Sequence, residues 1–385
     1  MRIGILTFHR SDNYGAFLQA YSLTMAIRKR FPNWDVELID YDSKKAQKYY
    51  YKLILKEGRK YGLMYYVKRH IAFSKAVKQL PLSRKKCITD NLSVVRDYLK
   101  GQYDIIVAGS DQIWKLDSFR GFPNAYWLPD EYGCEKLSYA ASSRSIFSTA
   151  PERTVNTVKS ILSGYQYIGV RDDITFRELK NVLSYGVIRN CDPSFLYDFC
   201  IAKDSARDKL ASLYHIDNHL PIVGVMSKDE NVIKRLRNKY GNSINIVSID
   251  IPHSETKANP NISPFEFAEI IAGLDVLITS FFHGLCFAIK GNTPFVALDE
   301  KKSESEEQSK ILDLLKLIHK EQYYFRTDGS DYVHNVVGIV DYYLANEIQT
   351  DNDDVIRKLM DLSETFFEKL QEIGEEYEEK IKKNL

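Results

Sequence analysis

Ile3-Gly4-Ile5-Leu6-Thr7-Phe8 is a short apolar run that ends in the polar turn His9-Arg10-Ser11-Asp12-Asn13-Tyr14-Gly15. A helical stretch follows from about Ala16 to Lys29, then a second apolar run, Val36-Glu37-Leu38-Ile39-Asp40. Strand, turn, helix and strand make a βαβ unit. Such a crossover joins parallel strands, since antiparallel neighbours need only a hairpin. The chain is therefore read as α/β with a parallel sheet.

The same grammar recurs downstream. Tyr103-Asp104-Ile105-Ile106-Val107-Ala108 ends in Gly109-Ser110-Asp111-Gln112. Glu135 to Ala141 ends in Ser142-Ser143-Arg144-Ser145, and Tyr167 to Val170 in Arg171-Asp172-Asp173. A helix over 174–183 precedes Val187 to Cys191 and then Asp192-Pro193-Ser194. In a parallel sheet these polar ends share one rim, where open α/β sheets bind ligands.

A second α/β unit opens near Pro221. It carries strands at Ile222 to Met226, Ile244 to Ile249, Asp275 to Thr279 and Pro294 to Leu298. Asp229 to Tyr240 is helical, and Ser263-Pro264-Phe265-Glu266 opens another helix with N-cap, N1 proline and first-turn acid. The third strand stops in Thr279-Ser280-Phe281-Phe282-His283-Gly284-Leu285. There His283 is either a proton donor and acceptor or a cap on the helix beginning at Leu285. Gly284 leaves room for a ligand to approach the backbone.

The expected organisation is an N-terminal domain over 1–205 with a basic, aromatic helical insertion over 44–100. A second domain spans 206–350, with a hinge in the weakly patterned stretch 199–220. Val355, Leu359, Leu362, Phe366, Leu370, Ile373, Tyr377 and Ile381 recur at steps of three and four. They predict one amphipathic helix over 351–385, interrupted weakly by Gly374, that packs across the domain junction or serves an oligomer contact.

Two domains suit 385 residues, and 44% hydrophobic with 27% charged residues is a globular composition. No apolar run approaches the roughly 20 residues that span a membrane. Met1 to Thr7 reads as a strand rather than a signal peptide. Cys87, Cys134, Cys191, Cys200 and Cys286 show neither zinc spacing nor a disulfide framework, so a reducing cytoplasm is expected and no metal. Charge is uneven: 16 Lys/Arg face three acids over 44–100, whereas 22 acids face 12 bases over 299–385. A basic aromatic region can rest on an anionic membrane or on nucleic acid. The simpler reading is a solvated excursion packed on its own domain, and no nucleic-acid motif is present.

Five blocks occur in order over residues 1 to about 300: Asp12-Asn13-Tyr14-Gly15-Ala16 with Gln19-Ala20; Ala108-Gly109-Ser110-Asp111-Gln112-Ile113-Trp114; Gly169-Val170-Arg171-Asp172; Asp192-Pro193-Ser194-Phe195; and Ser280-Phe281-Phe282-His283-Gly284. Together they resemble the polysaccharide pyruvyl transferase family. That resemblance implies two Rossmann-like domains facing a cleft, as in B-type glycosyltransferases. It implies a cytoplasmic transferase, possible at the inner membrane face, that moves pyruvyl from phosphoenolpyruvate onto a hexose of a capsule or exopolysaccharide, or of its lipid-linked precursor. A ketal forms and phosphate leaves; phosphoenolpyruvate is a co-substrate, and no cofactor is implied. The N-terminal domain would take the acceptor and the C-terminal domain the donor.

Such chemistry needs cations or NH donors for phosphate and carboxylate, a proton for the vinyl carbon and a base for two hydroxyls. Arginine grips planar anions bidentately, and histidine serves as acid and then base near neutral pH. The resemblance makes Arg171 the anion clamp and gives His283 a contact with phosphoenolpyruvate or a proton-shuttle role; the competing role for Arg171 is a salt bridge to Asp192. Ser280, Gly284 and the helix NH groups beside them form an anion site. Many family members carry arginine two residues before the histidine, where this chain has Phe281. Arg144, Lys301 or Lys310 would replace it, Lys310 foremost because it opens a helix near Glu304, Glu306 and Glu307. Asp12, Asn13, Tyr14 and Gln19 suit a sugar, with helix capping as the alternative for Asp12 and Asn13. Gly109 and Ser110 on the same rim are expected to bind substrate, Asp111 is a base or a cap, and Trp114 reads as core. A nucleotide-sugar glycosyltransferase of the same architecture is the alternative, although no Glu-x7-Glu donor motif is evident. A non-catalytic glycan-assembly protein is the other.

Overall fold

The computed structural model of the chain describes residues 1–184, 186–199, 202–300, 308–346, 348 and 350–384. Cys200, Lys301, Glu304, Glu306, Glu307 and the side chain of Ile381 lie outside the described residues.

The first half carries strands β1 (Arg2–Leu6), β2 (Asp35–Leu38), β3 (Tyr41–Asp42), β4 (Cys87–Ile88), β5 (Ile105–Ala108), β6 (Glu135–Ala141), β7 (Tyr167–Val170) and β8 (Ile188–Arg189). Its helices are α1 (Tyr14–Arg30), α2 (Lys44–Tyr61), α3 (Leu63–Val77), α4 (Leu92–Leu99), α5 (Glu152–Leu162) and α6 (Asp173–Val182). Six strands form one parallel sheet in the order β2-β1-β5-β6-β7-β8, while β3 and β4 pair separately. Helices cover both faces, so central strands such as Ile105-Ile106-Val107-Ala108 are buried throughout.

The second half adds β9 (Ile222–Met226), β10 (Asn245–Ser248), β11 (Lys257–Ala258), β12 (Val276–Thr279), β13 (Phe295–Asp299) and β14 (Tyr324–Arg326). Its helices are α7 (Lys203–Tyr214), α8 (Glu230–Tyr240), α9 (Pro264–Ile270), α10 (Phe282–Lys290), α11 (Lys310–Leu317) and α12 (Tyr332–Asn346), then α13 (Asp353–Asp361) and α14 (Glu364–Asn384). The sheet runs β11-β10-β9-β12-β13-β14, again parallel. That is a doubly wound order, and its direction reverses between β9 and β12. In the first sheet the reversal lies between β1 and β5. Crevices therefore open beyond Leu6 and Ala108 in one half and beyond Met226 and Thr279 in the other.

Three local outcomes differ from the sequence reading. The expected hinge contains α7, which packs on Ile271–Gly273 of the second half. The terminal segment is two helices rather than one, broken at Leu362 and Ser363. Ser363 is buried at the joint, its Oγ 2.7 Å from the Tyr139 hydroxyl and 3.2 Å from the Cys191 NH. This anchorage interrupts the helix for two residues, and the two parts pack differently: α13 on α10, whereas Phe366 of α14 packs on Tyr139 and Tyr167 of the first sheet. Finally, α10 starts at Phe282 rather than near Leu285, so His283 sits within its first turn.

Candidate active site

The site is built around one buried carboxylate. Asp192 follows β8, and Arg171 leaves the end of β7. Arg171 Nη1 donates to Asp192 Oδ2 at 2.7 Å, and His283 Nε2 from α10 lies 3.5 Å from the same oxygen. The other oxygen, Oδ1, accepts the Ser194 NH at 3.0 Å. Burial alone would raise the Asp192 pKa, but His283 and Arg171 outweigh it and hold the carboxyl well below the usual range. Asp192 thus stays ionised between two groups from opposite halves of the molecule.

Arg171 keeps donors in reserve. Its Nε and Nη2 are buried without a hydrogen-bond acceptor among the described residues. Nη2 lies 3.9 Å from Asp111 Oδ1, too far for a hydrogen bond. Burial works against the guanidinium charge, but Asp192 and Asp111 more than offset it, and the pKa rises. A buried cation with unmatched NH groups is what a planar anion can fill.

Two further cations converge there. The Arg171 guanidinium sits 4.7 Å from the Phe282 ring centre, and Lys310 Nζ sits 5.1 Å from the same ring. Lys310 opens α11, whose N-cap is Ser309. Burial, reinforced by repulsion from Arg171 and Arg144, pushes the Lys310 ammonium down to about 8. Arg144, at a left-handed φ of 53°, donates from Nη2 to Gln308 O at 2.9 Å. Burial and Arg171 lower its pKa, with Asp172 and Asp299 opposing. Three mutually repelling cations make this corner of the molecule electropositive.

The backbone contributes as well. No side chain caps the N-terminus of α10, since Phe281 occupies the N-cap position. Its first NH groups therefore lack a side-chain acceptor. Ser280 NH donates to Met226 O at 2.9 Å, tying the rims of β12 and β9. A Cβ on Gly284 would come 2.5 Å from Thr279 Oγ1, so only glycine lets α10 start this close to the strand.

The structure separates the other sequence candidates. Asn13 caps α1 through Ala16 NH at 3.0 Å and is exposed. The Asp12 carboxylate meets His70 Nδ1 at 2.9 Å. Tyr14 is buried, stacked on Phe267 at 4.5 Å with its hydroxyl donating to Ile262 O, so it cannot lie under a sugar. Gln19 is buried too. Its Oε1 accepts both the Ser110 NH and hydroxyl, and its Nε2 donates to Thr7 Oγ1 and Ala16 O. Gln19 and Ser110 therefore brace the first crevice from behind. Gly109, at φ 123°, packs against Tyr139 O. Asp111, at φ 80°, accepts from Gln112 NH at 2.7 Å and faces Arg171. Trp114 is core, stacked on Trp127. Among the described residues no group of three His, Cys, Asp or Glu side chains gathers for a metal.

Sequence reasoning gave Gly15 no role. A Cβ there would overlap His283 at Nδ1 and Cγ, so the first turn of α1 lies flat against the imidazole. Beside this contact a cavity of about 820 Å³ opens between the halves, with Ser11, Asp12, Asn13, Lys228, Asp250 and Phe281 on its walls. Helices α2 and α3 roof it with Tyr50, Leu53, Ile54, Tyr66, Val67 and Ile71. Arg69, buried in α3, fastens the roof: Nη1 contacts the Asp250 carboxylate and carbonyl, and Nη2 donates to Asp12 O at 2.9 Å.

A family profile described as polysaccharide pyruvyl transferase matches residues 13–302. Among curated proteins none matches the chain. Solved structures similar to it include UDP-GlcNAc 2-epimerase from Methanocaldococcus jannaschii, at 12% identity and TM-score 0.55, covering 91% of this chain and 95% of that one. HepE of Anabaena, solved with UDP and glucose, gives 10% identity and TM-score 0.55 over 97% of this chain and 100% of that one. A Listeria monocytogenes protein described as a UDP-N-acetylglucosamine 2-epimerase gives 10% identity and TM-score 0.52 over 95% of this chain and 96% of that one. At such identities the likeness speaks for the fold, which is the two-domain architecture of B-type glycosyltransferases.

Proposed function

The chain belongs to the polysaccharide pyruvyl transferase family, and from that premise we propose that it transfers pyruvyl from phosphoenolpyruvate to a sugar of a glycan acceptor. The observation that carries this reading is the convergence of Arg171, Arg144 and Lys310 beside the uncapped start of α10 and His283. Phosphoenolpyruvate has two anionic groups flanking its reacting carbon. Arg171, with Nε and Nη2 unmatched, suits its carboxylate; Lys310 and the α10 NH groups suit its phosphate. Lys310 takes the place of the family arginine whose position is held by Phe281.

The reaction then divides among the side chains. Protonation at the vinyl CH2 makes a methyl group and leaves cationic character on the adjacent carbon. An acceptor hydroxyl adds there and loses its proton; the C–O bond to phosphate breaks, and a second hydroxyl closes the ketal. His283, poised on ionised Asp192, is the proton carrier. Asp192 also keeps Arg171 oriented. The 820 Å³ cavity on the other side of Gly15 and Phe281 gives the acceptor its room. Asp12 and Asn13 reach it; Tyr14 and Gln19 do not. The acceptor is read as a hexose of a surface glycan or its lipid-linked precursor, and the setting as the cytoplasmic side of the inner membrane. No helix among the described residues is long and apolar enough to cross a membrane.

The test measures phosphate release from phosphoenolpyruvate across a panel of hexose acceptors, together with thermal shifts by phosphoenolpyruvate and by UDP. The reading expects acceptor-dependent phosphate release and stabilisation by phosphoenolpyruvate. Stabilisation by UDP alone, with no release, selects a nucleotide-sugar transferase instead.

A further inference from the structure

The roof of the cavity carries apolar side chains that the described residues leave exposed. Helix α2 buries only Ala46 and Gly58, and α3 only Arg69, Phe73 and Ala76. Tyr51, Leu55, Leu63, Met64, Val67 and Ile71 are exposed, Tyr51 by 65% and Met64 by 66%. On α2 the pair Tyr51 and Leu55 is one turn apart, and on α3 Met64, Val67 and Ile71 follow helical spacing. Gly62, at φ 103°, makes the tight link between the two helices, and Leu63 just after it lies against Gly58. An apolar stripe of this extent is uncommon on a freely solvated surface.

Its charge setting is one-sided. Over residues 44–77 there are ten Lys/Arg and one acid, Glu57. Lys52, Lys56, Arg59, Lys60 and Lys68 are all exposed beside the apolar residues. A second copy of the same hairpin would bring like charges together. An anionic bilayer complements both parts, since headgroups meet the lysines while the apolar residues enter the acyl boundary. Tyr51, Val67 and Ile71 are exposed and also line the cavity, so the stripe runs into the cleft mouth.

We propose that the α2–α3 hairpin docks peripherally on an anionic membrane and sets the cavity mouth against it. An acceptor sugar carried on a lipid anchor then enters from the bilayer; this second clause rests on the acceptor reading above. Docking itself is independent of the chemistry.

The test is sedimentation of the whole protein with phosphatidylcholine vesicles, with and without about one-third phosphatidylglycerol. Binding is expected only with the anionic lipid, and should weaken about tenfold or more from low to high salt. Leu55→Glu with Met64→Glu, both at exposed sites, should abolish binding without shifting the melting temperature. Lys52→Glu with Lys56→Glu should weaken it about tenfold or more. Absence of binding, equal binding to neutral vesicles, or unaltered binding by the glutamate variant overturns the proposal. So does a dimer that the glutamate variant dissociates, because a second copy then covers the stripe. Phosphate release with a short water-soluble acceptor should be unchanged in the glutamate variant. If vesicles bind as expected while no acceptor supports phosphate release, docking stands and the transferase reading falls.

Discussion

Gly15 and His283 meet face to face across the two halves of the molecule: a single Cβ on Gly15 would occupy the space of the imidazole. Alanine in the first turn of a helix is ordinarily harmless or mildly stabilising. Gly15→Ala should therefore act through the ring it displaces. An ångström of misplacement can cost about a hundredfold in rate, and the overpacking about 1–3 kcal/mol in stability. Phosphate-release kinetics beside thermal denaturation checks both; activity within twofold of the parent would remove His283 from the mechanism as drawn.

Arg171 separates clamp from strut. Arg171→Met leaves buried Asp192 without its nearest cation and should cost about 3–5 kcal/mol. Arg171→Lys keeps a charge but lacks the fork, so folding should survive better while phosphoenolpyruvate binds about tenfold or more weakly. Equal affinity in the lysine variant, measured by calorimetry, would leave Arg171 a structural residue only.

Lys310 should make donor binding depend on pH. Its ammonium is pushed down to about 8 from an ordinary value of 10.5, so the free protein sheds this proton before the unfolded chain does. The unfolded state then holds more protons between those values, and this group makes folding more favourable as pH rises through that window. Anion binding needs the charged form, so the sign reverses: donor affinity should fall above pH about 8, by up to about tenfold per unit. Lys310→Met should bind donor weakly with a flatter profile and, lacking the half-buried charge, melt higher. A flat profile in the parent excludes Lys310 from the donor site.

Tyr14 should behave as core. Tyr14→Phe keeps the stack on Phe267 and removes only the bond to Ile262 O, a loss of about 0.5–1.5 kcal/mol. Acceptor kcat/KM should stay within twofold. A large rise in acceptor KM would instead place this ring against sugar.

The fold was legible because parallel strands buried on both faces write themselves as apolar runs with polar ends. β6, β7 and β9 fall where those runs fall, while β11 and β14, short and exposed or half-buried, leave no such trace. The capping box at Ser263 and Glu266 was readable for the same local reason. Ser363 was not, because its partners Tyr139 and Cys191 are distant in sequence and a heptad-like stripe continues through it. The site divides similarly. Arg171 and His283 could be picked out by residue type and position at strand ends. Tyr14 and Gln19 lie in a motif beside a strand end as well, but which side of the turn they face depends on α9 and β5. Nor does a glycine's neighbour show in sequence, which is why Gly15 escaped notice.

Arg69 has a kinetic consequence. Its guanidinium is shared by α3, the carbonyl of Asp12 and the Asp250 loop, so the two halves and the roof are stitched at one buried point. Pulling the halves apart like jaws would strand that charge or Asp250 in a half-opened seam. The flank where Tyr51, Val67 and Ile71 are both exposed and line the cavity leaves that stitch untouched. A seam stitched in this way should let the cavity load from its flank while Arg69 and Asp250 stay paired.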